Sequence, residues 1–226
     1  MLHDDKTKEN KLPFSRDEVA DYERKRYRGL DQRLVHSREQ KILKKIFDRI
    51  EKTAGLVLDL PCGYGRFSSF LVERGLGLIN CDISFAMVVR ANERAVKFSN
   101  RADRGAVADA TSGLPFKDET FSIVMSMRFF HHVHSSKNRR KILNEYARVS
   151  SGWVVLSYYQ SNTLHKIQRK FRRKIKKTPT RIKMINRKEF QSEVEKSGFK
   201  VVSVFPLFRG LHSQNIVLLK EAKTRT

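Results

Sequence analysis

Acidic residues are scarce in this chain: its 226 residues hold 24 Asp plus Glu against 47 Lys plus Arg, a formal net charge of +23. That imbalance points to a polyanionic partner or substrate. Cysteine is nearly absent. Cys62 and Cys81 fall at expected strand ends without metal-ligand spacing, which argues against a disulfide scaffold and a thiolate metal centre and suits a reduced cytoplasmic setting. No hydrophobic run approaches the roughly 20 residues of a membrane-spanning helix. The opening residues, Met1 to Asn10, are polar and charged, unlike a secretory leader. The expectation is a cytoplasmic protein that touches a membrane, if at all, peripherally at its inner surface. Internal repeats are also absent.

What the chain does have is a strand–turn–helix pattern. The apolar run Leu56 to Leu60 ends in a turn carrying Gly63 and Gly65, and a helix-compatible segment follows over Phe67 to Arg74. Such a turn gathers backbone N–H groups and the positive end of a helix around one small volume. Glycines there let a ligand approach the backbone closely. A second apolar stretch ends at Asp82, whose carboxylate could accept from ribose hydroxyls or cap a helix starting near Ser84. A third short strand ends at Asp109-Ala110, where a carboxylate and a backbone N–H could meet an adenine ring.

The pieces Val57-Leu58-Asp59-Leu60-Pro61-Cys62-Gly63-Tyr64-Gly65, Cys81-Asp82-Ile83-Ser84, Ala108-Asp109-Ala110, Leu114-Pro115-Phe116 and Phe130-His131-His132-Val133 resemble, in order and spacing, class I S-adenosylmethionine-dependent methyltransferases, particularly the broad group with ubiquinone/menaquinone-type enzymes. The resemblance covers about residues 53–160. It implies S-adenosyl-L-methionine as cofactor, with Gly63 and Gly65 admitting it, Asp59 supporting the turn and the amino-acid end, Asp82 and Ile83 at the ribose, Asp109 and Ala110 at the adenine, and Met127 nearby. Two positions depart from the family pattern: Pro61 stands where Gly is usual and removes one N–H, and Ser122 stands where Asp is common.

Periodicity organises the rest. Ser15-Arg16-Asp17-Glu18 reads as a capping box before a charged helix to about Arg28, and Ser37-Arg38-Glu39-Gln40 as a second box before the stripe Ile42, Leu43, Ile46, Phe47, Ile50. Strands are expected at 56–60, 77–82, 105–109, 121–127 and 153–159, with a helical stripe from Ile142 to Val149 before the last. The fold class is α/β: a Rossmann-like, doubly wound, mostly parallel sheet. Two further strands, Phe199–Phe208 and Gln214–Leu219, complete a seven-stranded sheet with the antiparallel edge hairpin that the resemblance implies. An N-terminal helical cap segment over 1–52, a methyltransferase domain over 53–226 and a basic helical insertion at about 162–188 are the expected divisions.

Residues 166–188 contain 12 Lys or Arg and no acid. Leu164, Ile167, Phe171 and Ile175 recur at helical spacing among Lys166, Arg169, Lys170, Arg172, Arg173 and Lys174, a basic amphipathic helix. RNA backbone, an anionic membrane surface or a phosphorylated substrate would each fit it, as would a solvated face packed on the core. For chemistry, the fourth strand runs into Met127-Arg128-Phe129-Phe130-His131-His132 at the sheet edge where ligands bind. His131 or His132 could take an acceptor's proton or shape the pocket floor. Arg128 is a candidate acceptor contact, as are Tyr158 and Tyr159 at the end of the fifth strand, where Tyr is also common for packing alone; Tyr22, Arg26, Arg33 and Arg66 are candidates for the methionine carboxylate. No metal is expected.

The reading is a methyltransferase acting on a small-molecule or lipid-linked acceptor, phosphorylated ones included. An RNA methyltransferase clamping backbone with helix 164–177 is the alternative. A non-catalytic protein docking on RNA or membrane is a third reading. A nicotinamide-dependent oxidoreductase fits poorly, because Ser68 occupies the last glycine of Gly-x-Gly-x-x-Gly.

Overall fold

The computed structural model describes residues 15–26, 29–50, 55–98, 104–161, 183–210 and 212–222. Two helices lead, α1 (Arg16–Arg26) and α2 (Leu30–Ile50). Strands and helices then alternate: β1 (Leu56–Asp59), α3 (Ser68–Val72), β2 (Gly77–Asp82), α4 (Phe85–Val96), β3 (Gly105–Val107), β4 (Phe121–Ser126), a 3-10 turn (Phe130–His132), α5 (Ser136–Val149) and β5 (Ser150–Tyr159). Helix α6 (Arg187–Lys196), β6 (Phe199–Pro206) and β7 (Gln214–Glu221) follow. Among the described residues no helix is long and apolar enough to cross a membrane.

The seven strands form one sheet in the order β3-β2-β1-β4-β5-β7-β6. Strands β3 to β5 are parallel neighbours, and β7 inserts antiparallel between β5 and β6. This is the expected doubly wound sheet with its edge hairpin. Order reverses between β1 and β4, so their C-terminal ends diverge and leave a crevice. Successive residues of the central strands point to opposite faces. Val57, Ile123, Met125 and Val155 join the stripe of α2 on one side; Leu58, Val124 and Leu156 join α5 and α6 on the other. Both faces are covered, so these strands read as unbroken apolar runs.

The Ser15 capping box forms as expected: Ser15 N–H donates to Glu18 Oε2 at 2.8 Å, and Glu18 N–H to Ser15 Oγ at 3.3 Å. The second box does not mark a helix start. Ser37 lies inside α2, which begins at Leu30 with Gln32 and Arg33 N–H groups donating to the Gly29 carbonyl. Serine is tolerated inside a helix whose stability comes from packing one face. The sequence reading also lacked α6. Asn186 caps it, Phe190 and Val194 are buried, and α5 holds it through Arg139, which is fully buried and bonds Glu193 and Glu189.

Candidate active site

At the end of β1 the chain turns through Gly63 and Gly65, both at positive φ (53° and 76°). The two glycines serve different neighbours. A Cβ on Gly65 would lie 2.7 Å from the Ala91 Cα, whereas one on Gly63 would meet nothing within 4 Å. Gly65 therefore lets α4 pack closely, while Gly63 borders open space. Asp82, at the end of β2, accepts from Gly63 N–H and Ser84 N–H, each at 3.0 Å. Ser84 in turn caps α4 by accepting from Met87 N–H. Both readings of Asp82 hold in one geometry: it braces the glycine turn and helps start the next helix.

Asp59 is 1% exposed, and neither carboxylate oxygen has a hydrogen-bond partner. Burial, with the charge of Asp82 beside it, pushes its pKa well above the usual carboxylate range. Burial also raises that of Asp82, against the N–H bonds from Ser84 and Gly63. Two carboxylates without a cation at a strand–turn–helix junction are costly in the ligand-free protein. A positively charged ligand bordering Gly63 would offset that cost. S-adenosylmethionine, with its sulfonium and ammonium groups, matches this electrostatic demand.

Asp109 accepts from Thr111 N–H and Oγ1, both at 2.8 Å. Ala108 N–H donates to the Asp82 carbonyl at 3.1 Å, which draws the ends of β2 and β3 together. Ala110 is buried and Ile83 is exposed. Asp59, Gly63, Asp82, Ile83, Asp109 and Ala110 thus lie along one edge, at the ends of β1, β2 and β3. Met127, also buried, sits beyond β4 in the α2-side core.

The opposite half of the crevice is cationic, and its hub is Glu39 on α2. This fully buried carboxylate accepts from Arg128 Nε and Nη2 at 2.7 and 3.0 Å and from Gln214 Nε2 at 2.8 Å. Arg66 Nη2 stands 3.3 Å away. Burial alone would lower the Arg128 pKa, but the Glu39 carboxylate outweighs it and holds the guanidinium above its usual value. Arg66 Nε also donates to His36 Nδ1 at 3.0 Å, and burial together with Arg66 lowers His36 to about 4. The imidazole is therefore neutral and accepts. Two arginines share one carboxylate, so a net positive charge remains.

Next in the chain after Arg128, the 3-10 turn packs the His131 ring, tilted, against His132 (ring centroids 4.0 Å apart) and against Tyr159 (4.7 Å). Tyr159 reaches His212 of the β6–β7 turn at 5.7 Å. Tyr158 does not belong to this cluster. It is 1% exposed, stacks flat on Phe190 at 4.0 Å, and lies in the core beneath α6. Alternation along β5 sends Tyr158 to one face and Tyr159 to the other. Ser135 caps α5. Tyr22 lies edge-on to Tyr64 in the glycine turn at 6.0 Å, and Arg33 is exposed. The basic residues Arg169, Lys170, Arg172 and Arg173, and the side chain of Arg26, lie outside the described residues.

Glu39, His36, His212 and Gln214 escaped the sequence reading. Only Glu39 left a signal: it shares a helix face with Leu43 and Ile46, a carboxylate in an apolar stripe.

Residues 58–156 match the family described as the methyltransferase domain. The fold agrees. Magnesium protoporphyrin IX methyltransferase of Synechocystis PCC 6803, solved with bound S-adenosylhomocysteine, superposes with a TM-score of 0.71 over 91% of this chain and 97% of its own, at 15% identity. The human "Probable tRNA methyltransferase 9B" is 29% identical over 99 residues, 44% of this chain and 20% of its own length. The tRNA (carboxymethyluridine(34)-5-O)-methyltransferase of Arabidopsis thaliana is 26% identical over 109 residues, 47% of this chain and 24% of its own. The chain thus spans about a quarter or less of the length of these two relatives.

Proposed function

We infer that this chain, with its methyltransferase domain, is an S-adenosylmethionine-dependent methyltransferase, and that its acceptor is a nucleotide of an RNA. The observation that carries the first half is Asp59, a buried carboxylate without a partner, next to Asp82 and the open face of Gly63. When bound, S-adenosylmethionine supplies a methyl group activated on a sulfonium. Asp82 would hold the ribose hydroxyls, Asp109 and Ala110 the adenine edge, and Ile83 would cover the ring. Asp59 would stay buried and favour positive charge at the amino-acid end. Arg66 or Tyr22 would meet the methionine carboxylate.

The acceptor would lie over His131, His132, Tyr159 and His212, with Arg128 beneath. His131 or His132 would hold the proton lost by the acceptor, and the aromatic rings give a base or other planar group a surface to stack on. Two features support RNA over the small or lipid-linked metabolite expected from the resemblance: the net charge of +23 and the tRNA methyltransferases among the relatives. The absence of Asn/Asp-Pro-Pro-Tyr/Phe after β4, where Met125-Ser126-Met127-Arg128 stands, turns this reading away from exocyclic adenine amines.

The test is transfer of radiolabelled methyl from S-adenosylmethionine into a cell lysate, followed by nuclease digestion and organic extraction. Label in nuclease-sensitive material is the expected result. Label in organic or low-mass material would select the metabolite acceptor instead, and no S-adenosylhomocysteine formed with any fraction would overturn the enzymatic reading.

A further inference from the structure

A second feature lies beyond the crevice, on the outer edge of the sheet. Helix α2 and strand β6 enclose a groove of about 340 Å³ lined by Arg38, Lys41, Lys45 and Arg209, over a floor of Ile42, Val204, Phe205 and Pro206. No acid lines it. Among the described residues no carboxylate pairs with Lys41, Lys45 or Arg209. Arg38, Lys41, Lys45 and Arg49 recur at i, i+3, i+7 and i+11 and so form one stripe along α2, about 16 Å long at 1.5 Å per residue. Packing holds two of them in place: Arg38 Nε donates to the Leu207 carbonyl at 3.1 Å, and the Arg49 guanidinium lies 5.8 Å over the Phe205 ring.

Contacts along the β6–β7 turn link the groove to the acceptor cluster. Arg38 ties α2 to the start of the β6–β7 turn, that turn carries Arg209 and His212, and His212 reaches Tyr159. On α2 itself, Arg38 neighbours Glu39, the hub of the cationic half. A row of like charges this close is unfavourable without a polyanion.

We propose that this α2–β6 groove is a binding track for the sugar–phosphate backbone of single-stranded RNA, along which the chain beside the methylated nucleotide lies. This rests on the RNA reading above and deepens it by naming the surface that recognises the substrate. The shape of the groove favours a strand over a membrane. Of its apolar floor Ile42 is only 4% exposed, Phe205 and Pro206 are half-buried and Val204 alone is exposed, at 40%, whereas a membrane-docking face presents several apolar side chains outermost, where they can enter the lipid. A strand in the groove would place phosphates against the α2 stripe and could stack a base on Phe205.

The test uses the full-length protein without cofactor and a fluorescein-labelled 20-nucleotide oligouridylate, with binding followed by anisotropy across a salt series. The triple variant K41A/K45A/R209A is expected to bind at least 10-fold more weakly. Three lost phosphate contacts should also flatten the log K against log salt slope by about 2, at roughly 0.7 per contact for single strands. Affinity for S-adenosylhomocysteine, by calorimetry, should not change in the variant. Unchanged RNA affinity and slope would overturn the proposal. So would a loss confined to binding of phosphatidylserine-containing vesicles, with RNA binding intact. Should the wild type bind oligouridylate through the groove but fail to bind S-adenosylhomocysteine, the methyltransferase reading falls and the groove stands.

Discussion

The two halves of the crevice carry opposite charge. On the β1–β3 side Asp59 and Asp82 are buried without a cation, and burial lifts both pKa values. Toward the β4–β7 side Arg128, just beyond β4, and Arg66, from the end of the glycine turn, surround one carboxylate, Glu39, and the basic groove continues outward along α2. Strand order reverses between β1 and β4, so one edge could serve two unlike ligands. The acid half suits a cationic cofactor and the basic half an anionic acceptor. The cationic half is partly compensated, since its two arginines share the Glu39 carboxylate. Among the described residues the acidic half has no cation beside Asp59, so a cationic ligand would complete it.

Breaking the compensated half should have the largest effect. Glu39→Gln leaves two arginines in a buried site without their counter-ion, and a loss of about 3–5 kcal/mol of stability is expected in urea denaturation. A midpoint close to wild type would mean that water screens these guanidinium groups. Asp82→Ala comes next: removing a carboxylate that braces Gly63 and would hold the ribose should weaken S-adenosylhomocysteine binding by about 10- to 100-fold, the equivalent of one charged hydrogen bond at ~1.5–3 kcal/mol. Calorimetry giving the wild-type affinity would remove Asp82 from the cofactor site.

The smallest change sharpens the contrast. Asp59→Asn removes the unpartnered buried charge, so the ligand-free protein should melt higher by about 2–4 °C, corresponding to ~1 kcal/mol, while cofactor affinity falls. Its pH signature follows from the raised pKa. The native state holds the proton above the unfolded value of Asp, so the stabilisation is complete at acidic pH and is lost as pH rises through the folded pKa. Wild-type stability should therefore decline from acid toward neutral pH more steeply than that of the variant. Parallel pH curves would show that Asp59 is paired with something in solution.

The cofactor half was legible because its residues are close in sequence and each sits at a strand end. Hydrophobic runs ending in Gly63, Asp82 and Asp109 locate one edge as soon as the strands are taken as parallel. Gly65 shows the limit of that reading: its spacing suggests a ligand contact, yet what needs the missing side chain is Ala91, on another element. Tyr158 and Tyr159 show another, since adjacent residues on one strand face different cores and only the packing of α6 says which faces the crevice.

By itself the sequence determined the order of the strands, the Ser15 cap, the glycine turn and the acids around it, though not helix α6, because periodicity, capping and turn chemistry act over a few residues. Tertiary structure alone decided the cationic half. Glu39, Arg66, Arg128 and Gln214 come from four separated segments, and nothing local marks them as partners. A buried carboxylate becomes tolerable only when folding brings its donors within hydrogen-bond range. The α2–β6 groove arises in the same way. Four cations at helical spacing are an ordinary solvated face until the edge strand closes beside them.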